Sequence, residues 1–287
     1  MPYTVAVSFD KFREVIEPLP YQRETATNRK DHLLSLLSDD FVINDSFASG
    51  SLPKYTAVAG YADLDIIVVL HYSKHVKDKK PSEVLLSVRN SLAKYRTEIR
   101  RNGQAVTLYY KTWPNVDIVP VSCTTNSDGS VNHYNVPDMN TETWIASQPK
   151  RHATEMEQSN QDFGKEFKRI VKMIKWWNHQ HSSLLESYHI EVMALKSLTR
   201  TFSDYPWDIY QFFKSMVNLV NGPLYHNVDF VDTYLNWKKR EEALKRLERA
   251  RDLASQAWYK TYNSNDDHKG AIEIYRQIFG DKFPNYG

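Results

Sequence analysis

The chain has 287 residues, which is enough for one large domain or two smaller domains with a full hydrophobic core. Its 37 basic and 35 acidic residues give a formal charge of +2. This net charge is too small to indicate binding to nucleic acid or to a membrane surface. The single cysteine, Cys123, excludes an intrachain disulfide and any zinc site built from several cysteines. It follows an apolar strand, so we expect a packed side chain rather than a nucleophile, in a reducing compartment.

The apolar runs of the sequence are short. The longest, residues 66–70, is far below the length of a membrane span. The first residues lack a basic segment followed by a long apolar one, which is the pattern of a signal peptide. We therefore expect a cytoplasmic protein that does not enter a membrane.

Residues 9–37 show helical spacing of apolar side chains, interrupted at Leu19-Pro20. Proline removes a backbone donor and clashes with the preceding turn, so we expect a kink or a break there. The segment predicts a long helix, or a pair of helices, that packs along the body as an N-terminal spine. Residues 41–47 alternate in part, which favours a short strand leading into Gly50.

Residues 50–70, GSLPKYTAVAGYADLDIIVVL, are the segment around which we build the rest of the prediction. Gly50 lets the backbone approach a ligand closely, because it has no Cβ. Ser51 is placed to cap a helix that begins at Leu52, with Pro53 in its first turn. Because the free N–H groups at a helix start bind phosphate, the pattern predicts that Gly50 and Ser51 hold phosphate groups.

Two carboxylates follow at the start of a strand. Asp63 and Asp65 are two residues apart, so on a strand both point to one face, and residues 66–70 continue as a strand buried on both faces. Such carboxylates repel unless a cation lies between them, and oxygen ligands favour Mg²⁺ completed by substrate phosphates. The alternative is a turn, a short helix and a strand that begins with two solvated aspartates. The spacing between Gly-Ser and the aspartates favours a metal–triphosphate site.

Further elements complete the first half of the chain. The spacing predicts a helix over residues 82–100 with Ser82 as its N-cap, a turn at 126–129, and strands over 104–110, 116–121 and 131–136. Residues 141–149 are interpreted as a connection. We therefore predict that residues 1–155 form a lobe with a mixed sheet and the N-terminal spine.

From about Met156 the pattern becomes helical. Apolar spacing predicts helices over residues 163–178, 187–201, 206–221, 232–259 and 268–279. Residues 156–287 are therefore predicted to form a helical lobe. The expected fold is α+β, with Gly50-Ser51 and the aspartates in a cleft between the two lobes.

Asp117 is the single charge in the apolar strand predicted at residues 116–121. A transferase that acts on triphosphates with two Mg²⁺ ions uses a third carboxylate, and that acid would arrive from a neighbouring strand. Asp117 is the candidate. The alternative is that Asp117 is a turn residue at a strand end, next to Asn115. This alternative would be preferred if Asp63 and Asp65 were absent.

These residues together resemble a known family. Gly50-Ser51, Asp63-Leu64-Asp65 and the DIVP segment at 117–120 resemble the nucleotidyltransferase pattern of the DNA polymerase β superfamily. More closely, the chain resembles a bacterial CD-NTase, a group related to animal cyclic GMP–AMP synthase and oligoadenylate synthase. The narrower likeness lies in the spine segment, in WIASQP with His152, and in IKWWN and SYHIE at 174–178 and 187–191. The resemblance covers nearly the whole chain and implies a two-lobed polymerase-β-like nucleotidyltransferase fold.

The resemblance also implies roles for residues of the first lobe. Asp63, Asp65 and Asp117 would be catalytic and would bind two Mg²⁺ ions, with Mn²⁺ as an alternative metal. Gly50 and Ser51 would hold the donor phosphates.

In the helical lobe, the resemblance implies three nucleotide-binding residues. Lys175 would reach the β and γ phosphates, Ser187 would donate a hydrogen bond, and Tyr188 would stack on a nucleobase. Each has an alternative. Lys175 could be a solvated helix residue with Lys172 in its role, Ser187 could be only an N-cap, and Tyr188 could belong to the core.

The function implied by the resemblance is synthesis of a cyclic di- or trinucleotide from NTPs, ATP among them, with release of pyrophosphate. The product would be a second messenger that acts on a separate effector in anti-phage defence of the CBASS type. The animal enzyme's metal-binding insertion needs several cysteines, so we expect no direct DNA requirement, and a regulatory protein partner is left open. The alternatives are a synthase of linear oligonucleotides, a transferase acting on RNA ends or on protein, a catalytically silent nucleotide-binding module, and a scaffold that uses the helical lobe.

Overall fold

The strand predicted after Asp63 lies inside a mixed sheet. The computed structural model describes residues 2–94, 98–262 and 266–287. Within them the sheet has seven strands: β1 (Ile43–Ser49), β2 (Leu64–Leu70), β3 (Glu98–Asn102), β4 (Ala105–Tyr109), β5 (Val116–Thr125), β6 (Val131–Asp138) and β7 (Thr143–Ser147). The order is β1-β2-β5-β4-β3, and β6 pairs with both β5 and β7. β2 and β5 run parallel, and the other pairs are antiparallel.

The alternation of side chains along β2 separates the two faces of the sheet. Ile66, Val68 and Leu70 belong to a core that also includes apolar residues of two helices, α2 (Pro20–Ser38) and α3 (Pro81–Leu92). Ile67 and Val69 belong to a second core on the opposite face, together with residues of β5 and β6. An aspartate at position 65 therefore points to the face of Ile67 and Val69.

The predicted interruption of the N-terminal spine is a complete break. The first helix, α1 (Val5–Ile16), ends before Pro20, which occupies the first turn of α2. The side chain of Gln22 accepts a hydrogen bond from the Leu19 N–H at 2.8 Å, which satisfies one donor at the start of α2.

The remaining helices are α4 (Pro149–Asp162), α5 (Phe167–Gln180), α6 (Ser187–Ser197), α7 (Tyr205–Leu219), α8 (Trp237–Tyr259) and α9 (His268–Phe279). A π-helical turn spans Tyr72–Val76, and two short strands, β8 (Tyr225–His226) and β9 (Asp229–Phe230), follow α7. Phe9 and Phe12 of α1 are fully buried against Phe279 and Phe283, with ring centroids 4.9 to 6.2 Å apart.

Because of this aromatic packing, α1 groups with the helices of the second half. The helical unit comprises Met1–Glu17, Ala153–His226 and Phe230–Gly287, and the sheet unit comprises Pro18–His152 and Asn227–Asp229. This grouping differs from the predicted division at 155/156, which assigned the whole spine to the sheet lobe. The aromatic residues of α1 made it amphipathic in the sequence, but the sequence did not say which core they enter.

The helix predicted over residues 82–100 is shorter than expected. α3 starts at Pro81 and ends at Leu92, its N-cap is Lys80 rather than Ser82, and the Lys80 N–H donates to Glu83 Oε2 at 2.7 Å. Residues 95–97 lie outside the described residues. The prediction was wrong from Glu98 onward, where the chain forms β3.

Two elements replace the connection predicted at residues 141–149. These are β7, which pairs with β6, and α4, which begins at Pro149. The predicted start at residue 232 was also wrong, since α8 begins at Trp237, where Asn236 caps it by accepting from the Lys239 N–H at 3.0 Å. No helix in the described parts of the chain combines the length and hydrophobicity that a membrane crossing requires.

Candidate active site

The sheet brings the predicted acids together. Asp65 of β2 lies opposite Asp117 of β5 in parallel register, and Asp63 immediately precedes β2. Asp65 and Asp117 are half-buried, whereas Asp63 is exposed. In both strands, the residues that follow the acid are apolar and buried on both faces of the sheet. This packing fixes the strands, while the acids near their first residues remain accessible.

The electrostatics of these carboxyls reflect their crowding. Partial burial of its carboxyl group and the neighbouring Asp117 raise the pKa of Asp63, although the residue as a whole is exposed, and burial raises the pKa of Asp117. Burial, Asp117 and Asp63 raise the pKa of Asp65 to about 7, with Lys54 acting in the opposite direction. Desolvation and like charge both disfavour the ionised form, so the site favours an added positive charge.

Gly50 lies directly against one of the acids. Its φ is +72°, and a Cβ built there would lie 1.7 Å from Asp65 Oδ2. A residue with a side chain would therefore be strained in its backbone and would displace the carboxylate. The sequence predicted that the backbone at Gly50 approaches a ligand closely. In the structure, the group that lies against Gly50 is the Asp65 carboxylate.

The residues after Gly50 form a turn rather than the predicted helix. The Thr56 N–H donates to the Ser51 carbonyl at 3.0 Å, the Tyr55 N–H donates to the Leu52 carbonyl at 3.2 Å, and Tyr55 has a φ of 59°. Ser51 is half-buried at the start of this turn. The expectation that Ser51 caps a helix was wrong, because the left-handed residue ends the turn before a helix is established.

Two polar residues that the prediction missed hold the acids in place. The Thr107 hydroxyl of β4 donates to Asp117 Oδ1 at 2.5 Å. The side chain of Asn115 hydrogen-bonds Asp63, and its Oδ1 accepts from the Tyr110 N–H at 3.1 Å. Asn115 was named only as a neighbour of Asp117 and was given no role, and the position of Thr107 depends on a strand register that the sequence does not give.

The donor set fits a hard divalent cation. It offers carboxylate oxygens on adjacent strands, and its electrostatics favour added positive charge. Asp63, Asp65 and Asp117 are the residues that would hold Mg²⁺.

Lys175, one of the predicted phosphate ligands, lies inside the helical unit. Its side chain is 2% exposed, and its Nζ donates to Glu191 Oε1 at 2.6 Å. Lys172, considered as its substitute, is also buried and forms an ion pair with Glu17, and burial together with Arg13 lowers the pKa of Lys172 to about 8. The alternative that Lys175 is a solvated helix residue is therefore wrong.

Ser187 and Tyr188 are both exposed in the first turn of α6. The N-cap of α6 is Glu186, so the N-cap alternative for Ser187 is wrong. Tyr188 is 39% exposed, which excludes the core alternative, and its ring lies 6.0 Å from the ring of His226. Below them, the Tyr234 hydroxyl accepts from the Glu186 N–H at 2.8 Å.

The mixed sheet with its acids, together with the helical unit, defines a nucleotidyltransferase of the polymerase-β-like class. Residues 3–160 match the family model of SMODS, the Second Messenger Oligonucleotide or Dinucleotide Synthetase domain. The match covers more than half of the chain, so the chain belongs to this family. It is an enzyme of the CD-NTase group, which the resemblance had predicted.

Two sequence relatives support the assignment. The chain is 26% identical over 200 residues to a probable cyclic nucleotide synthase of Bacillus cereus VD146, covering 67% of this chain and 58% of that protein. It is 26% identical over 262 residues to a cyclic AMP-AMP-AMP synthase of Acinetobacter sp. ATCC 27244 / 9458, covering 83% and 72%. The match to the Bacillus protein thus spans less than two thirds of that relative's length.

A solved structure supports the fold. CdnC of E. coli MS115-1, determined as a complex with HORMA-deltaN, is similar over 98% of each chain with a TM-score of 0.76 and 17% identity. The likeness confirms the predicted α+β nucleotidyltransferase fold.

Proposed function

We propose that this enzyme is a Mg²⁺-dependent synthase that joins NTPs into a cyclic di- or trinucleotide with release of pyrophosphate. The observation that carries the proposal is the pairing of Asp65 with Asp117 across β2 and β5, with Asp63 beside them and Gly50 in contact with Asp65. Membership of a family of second-messenger oligonucleotide synthetases supplies the reaction class.

The proposed step is attack of a ribose hydroxyl of one nucleotide on the α-phosphorus of another. The hydroxyl loses its proton to water, a bond forms between its oxygen and the α-phosphorus, the bond between the α-phosphorus and the β-phosphate oxygen breaks, and pyrophosphate leaves. When bound, two Mg²⁺ ions would supply positive charge for the triphosphate and increase the acidity of the hydroxyl. The protein contributes position and electrostatics rather than a covalent intermediate.

Each residue has a separate task in this proposal. Asp63, Asp65 and Asp117 hold the cations, and their raised pKa values mean that cation binding and ionisation occur together. The backbone at Gly50 and the hydroxyl of Ser51 hold the donor phosphates.

The helical unit contributes the remaining nucleotide contacts that we propose. Ser187 and Tyr188 bind through an exposed hydroxyl and an exposed ring. Lys175 would act on the phosphates from a buried position in which Glu191 balances its charge.

We infer ATP as a substrate, because one relative is a cyclic AMP-AMP-AMP synthase. The complex of CdnC with HORMA-deltaN supports a regulatory protein partner for this enzyme as well. The product would be a second messenger for a separate effector in anti-phage defence.

The stoichiometry of pyrophosphate release tests the proposal directly. A cyclic product of n nucleotides releases n pyrophosphates, whereas a linear one releases one fewer and keeps a phosphatase-sensitive triphosphate. The purified enzyme is incubated with α-labelled NTPs and Mg²⁺, and the released pyrophosphate is compared with the total label in the product before any phosphatase treatment. Equal amounts support cyclisation. A deficit of pyrophosphate would identify a linear synthase, and label on protein would identify a protein nucleotidyltransferase.

A further inference from the structure

A cavity of about 540 Å³ lies within the helical unit, between α5, α8 and α9. None of the residues that we assign to nucleotidyl transfer lines it. Its volume is in the range of sites that bind small organic molecules.

One part of the cavity lining is apolar. Trp177 of α5 and Ala250 of α8 are each 3% exposed, and Ile278 of α9 is 1% exposed. The Trp177 ring stacks on His181 with centroids 5.1 Å apart. These residues offer a rigid aromatic and aliphatic surface, against which a ring or a short chain would lose its contact with water.

The opposite part of the lining is cationic and comes from one face of α8. Lys245, Arg246 and Arg249 line the cavity, against one acid, Glu242. Arg246 is already engaged, because its Nε donates to Glu242 Oε1 at 2.7 Å and its guanidinium also donates to Ser182 Oγ at 3.1 Å. The cavity therefore has a positive excess.

Arg249 is the cation that remains available. Among residues 2–94, 98–262 and 266–287 it makes no ion pair and no side-chain hydrogen bond, whereas Lys245 pairs with Glu241 at 3.1 Å. Burial, Arg246 and Arg249 lower the pKa of His181, with its hydrogen bond to the Trp177 carbonyl opposing them, so this ring adds no positive charge at neutral pH. An anionic group that enters would meet an unengaged guanidinium with five donors.

We propose that this cavity binds a small organic anion. Its ring or aliphatic body lies against Trp177 and Ala250, and its carboxylate, sulfonate or phosphate group binds Arg249. A solvated face of a charged helix would explain the cations alone. It does not explain why they border a concave apolar surface in which the charge is not neutralised.

The test uses 1-anilinonaphthalene-8-sulfonate, an aromatic anion, with the full chain in the absence of NTPs and Mg²⁺. Tryptophan is replaced by 5-fluorotryptophan, and the ¹⁹F signal of Trp177 is assigned with Trp177→Phe. We expect saturable binding of the probe that shifts the Trp177 signal. Arg249→Ala should raise the dissociation constant of the probe about tenfold, since a hydrogen bond to a charged group contributes about 1.5 kcal/mol or more.

Arg251→Ala is the matched control. It removes the same charge from α8, but Arg251 does not line the cavity and binds Asp252 at 2.8 Å. Binding should be unchanged within about twofold in this variant. Three results would overturn the proposal: no binding of the probe, binding without a shift of the Trp177 signal, or equal weakening by Arg249→Ala and Arg251→Ala. None of these outcomes depends on the nucleotidyl transfer proposed above.

Discussion

At the scale of single residues, the contact between Gly50 and Asp65 links the turn at residues 51–55 to the acids of the candidate active site. The contact is tight because Gly50 lacks a Cβ, and the left-handed φ of Gly50 brings the backbone against the carboxylate. A change at Gly50 should therefore act on catalysis through the position of Asp65.

We predict that Gly50→Ala lowers the turnover of NTPs by about 100-fold, because small displacements of reacting groups have effects of this size. It should also lower the free energy of unfolding by about 1–3 kcal/mol, from backbone strain and the displaced carboxylate. Product formation and urea unfolding measure the two effects.

Gly60→Ala is the control for backbone strain. Gly60 has a similar φ of +81°, but nothing lies within 4 Å of the added Cβ. This variant should lose about 1 kcal/mol of stability and retain its turnover. Equal loss of turnover in the two variants would contradict the role of the Gly50–Asp65 contact.

The raised pKa of Asp65 predicts how the stability of the metal-free protein depends on pH. The unfolded carboxyl ionises near its ordinary value of 3.8, and the folded one near 7. Stability is therefore lost as pH rises between these values, and the loss is complete above the folded pKa.

We predict that Asp65→Asn raises the free energy of unfolding of the metal-free protein by about 2 kcal/mol at about pH 8. At about pH 4 the substitution should change this free energy little. The full shift corresponds to about 4 kcal/mol, and water reaching a half-buried group reduces it. Urea unfolding in the presence of a chelator at both pH values measures the difference. A difference that does not change with pH would contradict the assignment of the shift to Asp65.

At the scale of helices, the buried pair of Lys175 and Glu191 joins α5 to α6. Both side chains are at most 2% exposed, so neither charge is stabilised by bulk water. We predict that Glu191→Gln, which removes the carboxylate charge bound by Lys175 Nζ, destabilises the protein by about 3–5 kcal/mol.

A double variant separates stability from nucleotide binding. Lys175→Met combined with Glu191→Leu replaces the pair with apolar side chains of similar size and should restore most of the stability. If Lys175 also acts on the phosphates, the KM for NTPs should rise about tenfold in this stable variant. An unchanged KM would limit Lys175 to a structural role.

The first turn of α6 depends on a second contact, through Tyr234. Its hydroxyl accepts from the Glu186 N–H and lies 2.8 Å from Nδ1 of His189, which is buried and whose pKa is lowered to about 4, chiefly by burial. The neutral imidazole accepts through Nδ1 when the hydroxyl donates. Tyr234 therefore positions the turn that carries Ser187 and Tyr188.

We predict that Tyr234→Phe lowers the free energy of unfolding by about 1–2 kcal/mol, because the Glu186 N–H and His189 Nδ1 lose their partner. Tyr275→Phe is the matched control, since the buried Tyr275 hydroxyl has no hydrogen-bond partner among the described residues. Its removal should change stability by less than about 0.5 kcal/mol. Urea midpoints compare the two, and equal losses would contradict the role of Tyr234.

At the scale of the whole molecule, elements with strong apolar patterns could be predicted well. α9 has the predicted bounds and β2 contains the strand predicted at residues 66–70, because a strongly amphipathic helix and a run of five apolar residues each admit one interpretation. β3, whose sequence is EIRRN, lies at the edge of the sheet, and four of its five residues are exposed. An edge strand of this composition has no periodic apolar signal for the sequence to display.

The candidate site could be predicted only in part, for a related reason. The acids follow from local spacing in Asp63-Leu64-Asp65 and from the isolated charge at Asp117. Thr107 and Asn115 contact those acids only through strand register and a loop conformation, which local spacing does not determine. The burial of Lys175 likewise depends on the packing of α6 against α5.

Mass spectrometry of the phosphatase-resistant products made from all four NTPs tests the central proposal most directly. We predict that the wild-type enzyme with Mg²⁺ yields a species whose mass is the sum of two or three nucleotide monophosphate residues without a terminal phosphate. The Asp65→Asn variant, whose side chain cannot carry the negative charge, should yield none. A linear product that retains a triphosphate, or the same cyclic species from Asp65→Asn, would contradict it.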